Sequence, residues 1–140
     1  MKNKIFLFAA AAAAAVVSAR PAPANVQLPV WTYPSPGNVV WNQMDVFVPN
    51  AGAASAPATV ILLHSGGYEY GDKTDLEYIA PRLADLGYAV VNANYTLSIP
   101  EQSSFPQCIR DVLNIVGWIR TTGNAQFNLP DRVIIAGFSA

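Results

Sequence analysis

The chain has 140 residues, of which 52% are hydrophobic and 12% are charged, a balance that suits one globular domain and argues against disorder. The formal net charge is −1 and the lysines and arginines are scattered singly, so no basic face for nucleic acid is expected. Cys108 is the only cysteine, which excludes an internal disulfide and makes a small buried thiol its simplest role.

The first residues have the three parts of a secretory signal peptide. Two lysines precede an apolar run of 13 residues from Ile5 to Val17, and small residues follow at the expected cleavage position. A membrane anchor, the alternative, needs about 20 apolar residues. We therefore expect residues 1–19 to be removed by cleavage near Ala19, a secreted or periplasmic product, and no stable membrane anchor. Residues 20–38 contain five prolines and predict an extended leader rather than a helix or strand.

Residues 39–140 alternate predicted strands with predicted helices. In chain order we predict a half-buried strand at an antiparallel edge (39–48), a buried strand (58–63), a helix (74–86), a strand (88–93), a loop (94–106), a helix (107–121) and a strand (133–135). Thr74 or Asp75 is the expected N-cap of the first helix, and Gly87 and Gly123 are expected to end the two helices. This order predicts an α/β fold with a mostly parallel, doubly wound sheet, helices on both faces and ligands at the carboxyl ends of the strands.

Two glycine-rich turns follow predicted buried strands. The first is His64-Ser65-Gly66-Gly67-Tyr68. The second, Gly137-Phe138-Ser139-Ala140, fills four of the five positions of the G-x-S-x-G nucleophile elbow. The second tetrapeptide alone is equally compatible with an ordinary turn after a strand. Both turns should nevertheless open at the same edge of the sheet, where the N–H groups of Gly66, Gly67 and Ala140 could surround a substrate oxygen as an oxyanion hole.

The ordered motifs resemble the amino-terminal half of an α/β-hydrolase esterase or lipase with an HGGG-type oxyanion loop, the feruloyl-esterase-like and hormone-sensitive-lipase-like group. The residues that carry the resemblance are His64–Tyr68, Gly71-Asp72-Lys73, Asn94-Tyr95-Thr96-Leu97, Phe105-Pro106, Asp111-Val112, Trp118, Asp131-Arg132 and Gly137–Ala140. The resemblance implies an α/β-hydrolase fold over residues 39–140, truncated after the nucleophile elbow. It also implies Ser139 as nucleophile, Gly66, Gly67 and Ala140 as oxyanion donors, and a structural role for His64.

The chain departs from the family pattern at two positions. Ser65 stands where relatives usually have the first glycine of the loop, and Thr96 stands where many have an arginine. The triad of this fold runs serine, acid, histidine in chain order, whereas His64, the only histidine, precedes Ser139. We therefore expect the acid and the base to follow residue 140. The earlier acids, Asp72, Asp75 and Asp111, are interpreted as loop, helix-cap and helix residues, and no metal or cofactor is expected.

The sequence thus predicts the amino-terminal part of an exported serine hydrolase that acts on small-molecule carboxylic esters through an acyl-enzyme on Ser139. Residues 1–140 alone are predicted to be inactive, because removing triad members costs roughly 10⁶-fold in turnover. The alternative is a non-catalytic binding module with the same fold.

Overall fold

The computed structural model describes residues 23–27 and 42–139. The predicted signal peptide, most of the leader and Ala140 lie outside these residues. One sheet contains five strands: β1 (Ala24–Gln27), β2 (Gln43–Phe47), β3 (Thr59–Leu63), β4 (Ala89–Ala93) and β5 (Val133–Gly137). Their order is β1-β2-β4-β3-β5, in which β4, β3 and β5 run parallel while β2 is antiparallel to β1 and β4. This arrangement confirms the predicted α/β class, in a mixed sheet whose strands β4, β3 and β5 are parallel.

The leader contributes a strand that the sequence did not predict. β1 pairs with β2 in antiparallel register, with Ala24 opposite Val46. Pro23 precedes β1 and no proline lies within Ala24–Gln27, so no proline removes an N–H of this ladder. The prediction that residues 39–48 form an edge strand is therefore wrong for β2, which lies between two neighbours. Asp45, a charged residue in the middle of this strand, is buried.

Helices cover both faces of the sheet, as predicted. A 3₁₀ turn (Ala53–Ser55) precedes β3, and a second one (Lys73–Leu76) precedes α1 (Ala80–Asp85). α2 (Gln107–Trp118) continues through a π-helical turn (Ile119–Gly123) into α3 (Asn124–Phe127). Alternate strand residues divide between the two faces: Ile61 packs in the cluster that contains Ile115 of α2, whereas Val60 packs in the cluster that contains Ala84 of α1.

The first helix starts later than predicted. The N-cap of α1 is Ile79, which makes no side-chain capping bond, rather than Thr74 or Asp75. Asp72 caps the preceding 3₁₀ turn: its carboxylate accepts a hydrogen bond from the Thr74 N–H at 2.9 Å and forms a capping box with Asp75. α1 then begins with Pro81 in its first turn. Proline has no N–H for a bond to the preceding turn, so it favours a fresh helix start over a continuous helix. Gly87, at φ +96°, ends α1 as predicted.

Gly123 does not end the second helix, contrary to the prediction. The helical backbone continues to Phe127 and stops at Asn128, which adopts φ +54°. A Cβ on Gly123 would lie within 3.0 Å of the side chains of both Trp118 and Leu129. The glycine therefore allows close packing inside a helix, a requirement that its position in the sequence does not distinguish from a helix stop.

β5 lies at one end of the sheet and pairs with β3. Ile134 and Ile135 are 45% and 54% exposed, so this edge of the sheet is apolar among the described residues. We expect such an edge to promote aggregation of residues 1–140 expressed alone. Across the described parts of the chain, no helix has the length and apolar character needed to cross a bilayer.

Candidate active site

The two glycine-rich turns lie at the same edge of the sheet. β3 and β5 are adjacent and parallel, and their last residues, Leu63 and Gly137, are register partners. The N–H of Phe138 donates to the Leu63 carbonyl at 3.1 Å, which extends the pairing by one residue. The turn that starts at His64 and the turn that carries Ser139 therefore leave the sheet at the same level, as the motifs predicted.

A cavity of about 240 Å³ lies between these turns and the first turns of α2. Its lining residues are Leu63, His64, Tyr68, Tyr95, Cys108, Ile109, Val112, Gly137, Phe138 and Ser139. None of these lining residues is an aspartate, glutamate, lysine or arginine. The site therefore combines one hydroxyl nucleophile candidate with a mostly apolar wall, the usual composition of a site for a small uncharged group.

Ser139 occupies a strained backbone conformation. It is exposed, and its φ of +41° lies in the left-handed region that serine rarely enters. Such a conformation costs about 1–2 kcal/mol and typically occurs where function requires it. A serine on a sharp turn directly after a strand is the backbone geometry of the nucleophile elbow.

The first turn leaves two backbone donors without acceptors. Gly66 and Gly67 have φ of +132° and +60°, and the Gly66 carbonyl accepts the N–H groups of Glu69 (3.0 Å) and Tyr70 (3.2 Å). A Cβ on Gly66 would overlap the Tyr70 carbonyl, so only glycine fits this turn. Among the described residues, neither the N–H of Gly66 nor that of Gly67 donates to another group. Ala140, the third predicted donor, lies outside the described residues.

His64 supports the turn from beneath. The residue is 2% exposed, and its Nδ1 lies 2.8 Å from the Ser65 carbonyl oxygen, which requires a proton on Nδ1 because a carbonyl oxygen only accepts. The ring stacks on Tyr95 with centroids 4.4 Å apart, and the Tyr95 hydroxyl donates to the His64 carbonyl at 2.8 Å. Burial, with smaller contributions from Tyr68 and Cys108, raises the pKa of Tyr95 above its ordinary value. Tyr95 thus holds His64 in place beneath the turn, a role that the motif around Tyr95 does not reveal by itself.

Thr96 is held without the arginine that the resemblance leads one to expect. The Thr96 N–H donates to Asp111 Oδ2 at 2.8 Å, and the Gln107 side-chain amide donates to Asp111 Oδ1 at 2.8 Å. The Asp111 carboxylate on α2 therefore fixes the start of the 94–106 loop through a hydrogen bond from the backbone.

Cys108, one turn before Asp111, is buried in the cavity wall, in agreement with the interpretation of a buried thiol.

A buried polar cluster below the first turn was not predicted. We use the name polar cluster for Asp45, Asp72, Lys73, Asn92 and Asn94, whose side chains or backbone groups hydrogen-bond to one another. An aspartate inside the apolar strand 43–47 was the sequence signal that could have revealed it, because a buried charge needs a partner. Burial raises the pKa of Asp72, but hydrogen bonds from Thr74 and Asn94 together with the charge of Lys73 outweigh this and lower it below 3.8. Within residues 23–27 and 42–139, no group of three or more His, Cys, Asp or Glu side chains is placed to hold a metal ion.

The comparisons with known proteins agree with this geometry. The BD-FAE family model matches residues 44–140. The chain is similar to a thermophilic, thermostable carboxylesterase cloned from a metagenomic library (26% identity, TM-score 0.66, covering 89% of this chain and 39% of that one). It is also similar to esterase B from Lactobacillus rhamnosis (26%, 0.60, 74% and 33%) and to a bifunctional GH43-CE protein of Bacteroides eggerthii (26%, 0.59, 71% and 14%). The chain thus spans between about a seventh and two fifths of the length of these structures. No curated protein sequence matches it.

Proposed function

Because the chain belongs to the BD-FAE family of esterase-like α/β-hydrolases, we propose that it supplies the nucleophile and the oxyanion hole of an exported serine hydrolase for small-molecule carboxylic esters. The observation that carries the proposal is the cavity between the two turns. On one side it has a serine in a left-handed conformation, and the adjacent glycine turn contains two N–H groups that lack acceptors among the described residues.

In the proposed reaction, Ser139 Oγ adds to the carbonyl carbon of the ester while a base removes its proton. The carbonyl oxygen becomes negatively charged and accepts hydrogen bonds from the N–H groups of Gly66 and Gly67, with Ala140 as the third donor. Each such donor lowers the barrier by about 3–4 kcal/mol in a well-formed site. The C–O bond to the alcohol then breaks and the alcohol leaves with the proton. Water repeats the attack on the acyl-enzyme and releases the acid.

His64 is unsuited to be the base in this reaction. Its Nδ1 is committed to the Ser65 carbonyl, its ring is stacked on Tyr95, and its Nε2 is buried without a partner among the described residues. Asp72 caps the 3₁₀ turn and Asp111 binds the Thr96 N–H, so neither is available as the acid. We therefore propose that the acid and base come from the part of the protein that follows Ala140, and that residues 1–140 alone do not turn over esters.

The nucleophile is tested on the full-length protein with a fluorophosphonate probe and a short aryl ester. We expect wild type to be labelled and active, and Ser139→Ala to lose both properties. Ser55→Ala is the matched control, because Ser55 is an exposed serine in a distant 3₁₀ turn. Labelling that survives in Ser139→Ala would reject the assignment. A folded full-length protein that neither reacts nor hydrolyses any ester would favour the non-catalytic binding module.

We also propose that the protein is exported, on the basis of the signal-peptide pattern of residues 1–19. Expression of the full-length protein followed by amino-terminal sequencing of the exported form tests this directly. The expected first residue is Arg20. A cell-retained product that still begins at Met1 would contradict the proposal.

A further inference from the structure

The first turn is joined to the sheet by a buried ion pair. Lys73 Nζ lies 2.6 Å from Asp45 Oδ2, and the two side chains are only 9% and 10% exposed. Asp45 belongs to β2, where its register partner across the sheet is Asn92 of β4. The pair therefore joins the chain directly after the glycine turn to the middle of two strands.

The backbone of Lys73 is held on both sides by asparagines of the same cluster. Its N–H donates to Asn94 Oδ1 at 2.6 Å, and its carbonyl accepts a hydrogen bond from Asn92 Nδ2 at 2.7 Å. Asn94 Nδ2 in turn donates to Asp72 Oδ2 at 2.8 Å. Two side chains of the sheet, Asp45 and Asn92, together with Asn94 directly after β4, thus fix residues 72 and 73 in position.

The turn between His64 and Asp72 needs such restraint. Gly66, Gly67, Tyr68 and Gly71 all have φ between +60° and +132°. Backbone of this kind persists only where the surroundings hold it, and Tyr68 lacks the freedom that glycine has. The turn is fixed at its start by β3 and at its end by the polar cluster, and the two N–H groups proposed to bind the oxyanion lie between these points.

We propose that Lys73 and Asp45 are positioning residues that hold Gly66 and Gly67 in the geometry of the oxyanion hole. The expected effect on catalysis rests on the proposed esterase function, whereas the restraint of the turn does not. A buried ion pair is often no more stabilising than an apolar pair of the same volume, so its value here lies in one fixed geometry. Both residues act through the turn and neither touches the substrate.

The test uses the full-length double variant Asp45→Leu/Lys73→Met, which removes both charges without leaving either one buried and unpaired. We expect the backbone amides of Glu69 and Tyr70, which donate to the Gly66 carbonyl, to exchange hydrogen at least about 10-fold faster, while amides of β3 and β4 keep their protection. We expect kcat for a short aryl ester to fall by roughly 10- to 100-fold with KM within about twofold, because the interaction lost belongs to the transition state. Arg82→Met, an exposed cation of α1, is the control and should match wild type in both measurements.

The two measurements test the restraint of the turn and its effect on catalysis separately. Wild-type exchange of the Glu69 and Tyr70 amides in the double variant would overturn the restraint, and faster exchange with unchanged kcat would overturn the positioning role. If the double variant fails to fold, Asp45→Asn/Lys73→Gln removes both charges but keeps similar volumes and a neutral hydrogen-bonding pair, and the same changes are expected at smaller size. A failure of the esterase proposal would show in Ser139→Ala, which leaves the exchange result unaffected, so the two failures can be told apart.

Discussion

Replacing Gly71 by alanine gives a severe test of how tightly the first turn is packed. Gly71 has φ +104°, and a Cβ at this position would lie within 3.0 Å of His64 Nδ1 and of the Ser65 carbonyl oxygen. These are the two atoms that form the 2.8 Å contact beneath the turn. The substitution therefore strains the backbone and drives a methyl group into a hydrogen bond.

The expected loss of stability follows from three contributions. A left-handed φ costs an alanine about 1–2 kcal/mol, the inserted methyl about 1–3 kcal/mol, and the disturbed hydrogen bond of His64 about 1 kcal/mol. Together these predict a destabilisation of about 3–6 kcal/mol, a large part of the 5–15 kcal/mol that typically separates folded from unfolded proteins. Activity is expected to fall as well, because His64 supports the turn.

Gly87→Ala is the matched control. Gly87 has nearly the same φ, +96°, but a Cβ there would meet nothing within 4 Å. The change in unfolded-state entropy is shared by both variants and cancels in the comparison. Urea unfolding of the full-length protein, followed by circular dichroism, should place Gly71→Ala about 2–4 kcal/mol below Gly87→Ala. Equal stabilities within about 1 kcal/mol would refute the packing argument and leave backbone strain as the only effect.

Three further predictions concern groups around the site. The pKa of Asp72 is lowered in the fold, so its ionised form stabilises the protein above pH 3.8 and this contribution is lost as the pH falls through the folded-state value. Unfolding measured at several acidic pH values should show a weaker pH dependence for Asp72→Asn than for wild type, and equal slopes would contradict the shift. Tyr95→Phe leaves the buried His64 carbonyl without its donor and should cost about 1–3 kcal/mol in urea unfolding. Since the pKa of Tyr95 is raised, wild type should also lose stability as the pH rises above 10.0, and the phenylalanine variant less so; parallel profiles would argue against it. Asp111→Ala removes the acceptor of the Thr96 N–H and should lower the free energy of unfolding by about 1–3 kcal/mol. Asp111→Asn should have a stability between those of wild type and Asp111→Ala. Thermal unfolding identical to wild type in both variants would disprove this role.

The strands of the central sheet could be predicted because their signals are local. Residues 59–63 are apolar apart from Thr59, and residues 89–93 are apolar apart from Asn92, a pattern typical of strands covered on two sides. The turns after β3 and β5 could be predicted for the same reason, since glycines and a serine in this order suit only a few backbone shapes. The parallel order of β3 and β5 then places both turns at one edge.

The elements that were missed depend on distant partners. β1 forms by pairing with the edge of β2, and the sequence of β1 itself, which lies in a proline-rich segment, does not indicate a strand. In the sequence, Gly123 cannot be distinguished from a glycine that ends a helix. In the structure it allows Trp118 and Leu129 to pack closely against the helix. The Asp72 carboxylate that caps the 3₁₀ turn is also bound by Asn94, more than 20 residues later in the chain.

By itself, the sequence determined which segments are apolar enough to be buried and where glycine allows the backbone to turn sharply, because both properties belong to single residues and their near neighbours. The tertiary structure alone decided that Asp45 meets Lys73 and that Asp111 binds the Thr96 N–H. The physical reason is register: which polar groups meet inside a sheet depends on how strands align, and burial then requires every charge so enclosed to find a partner.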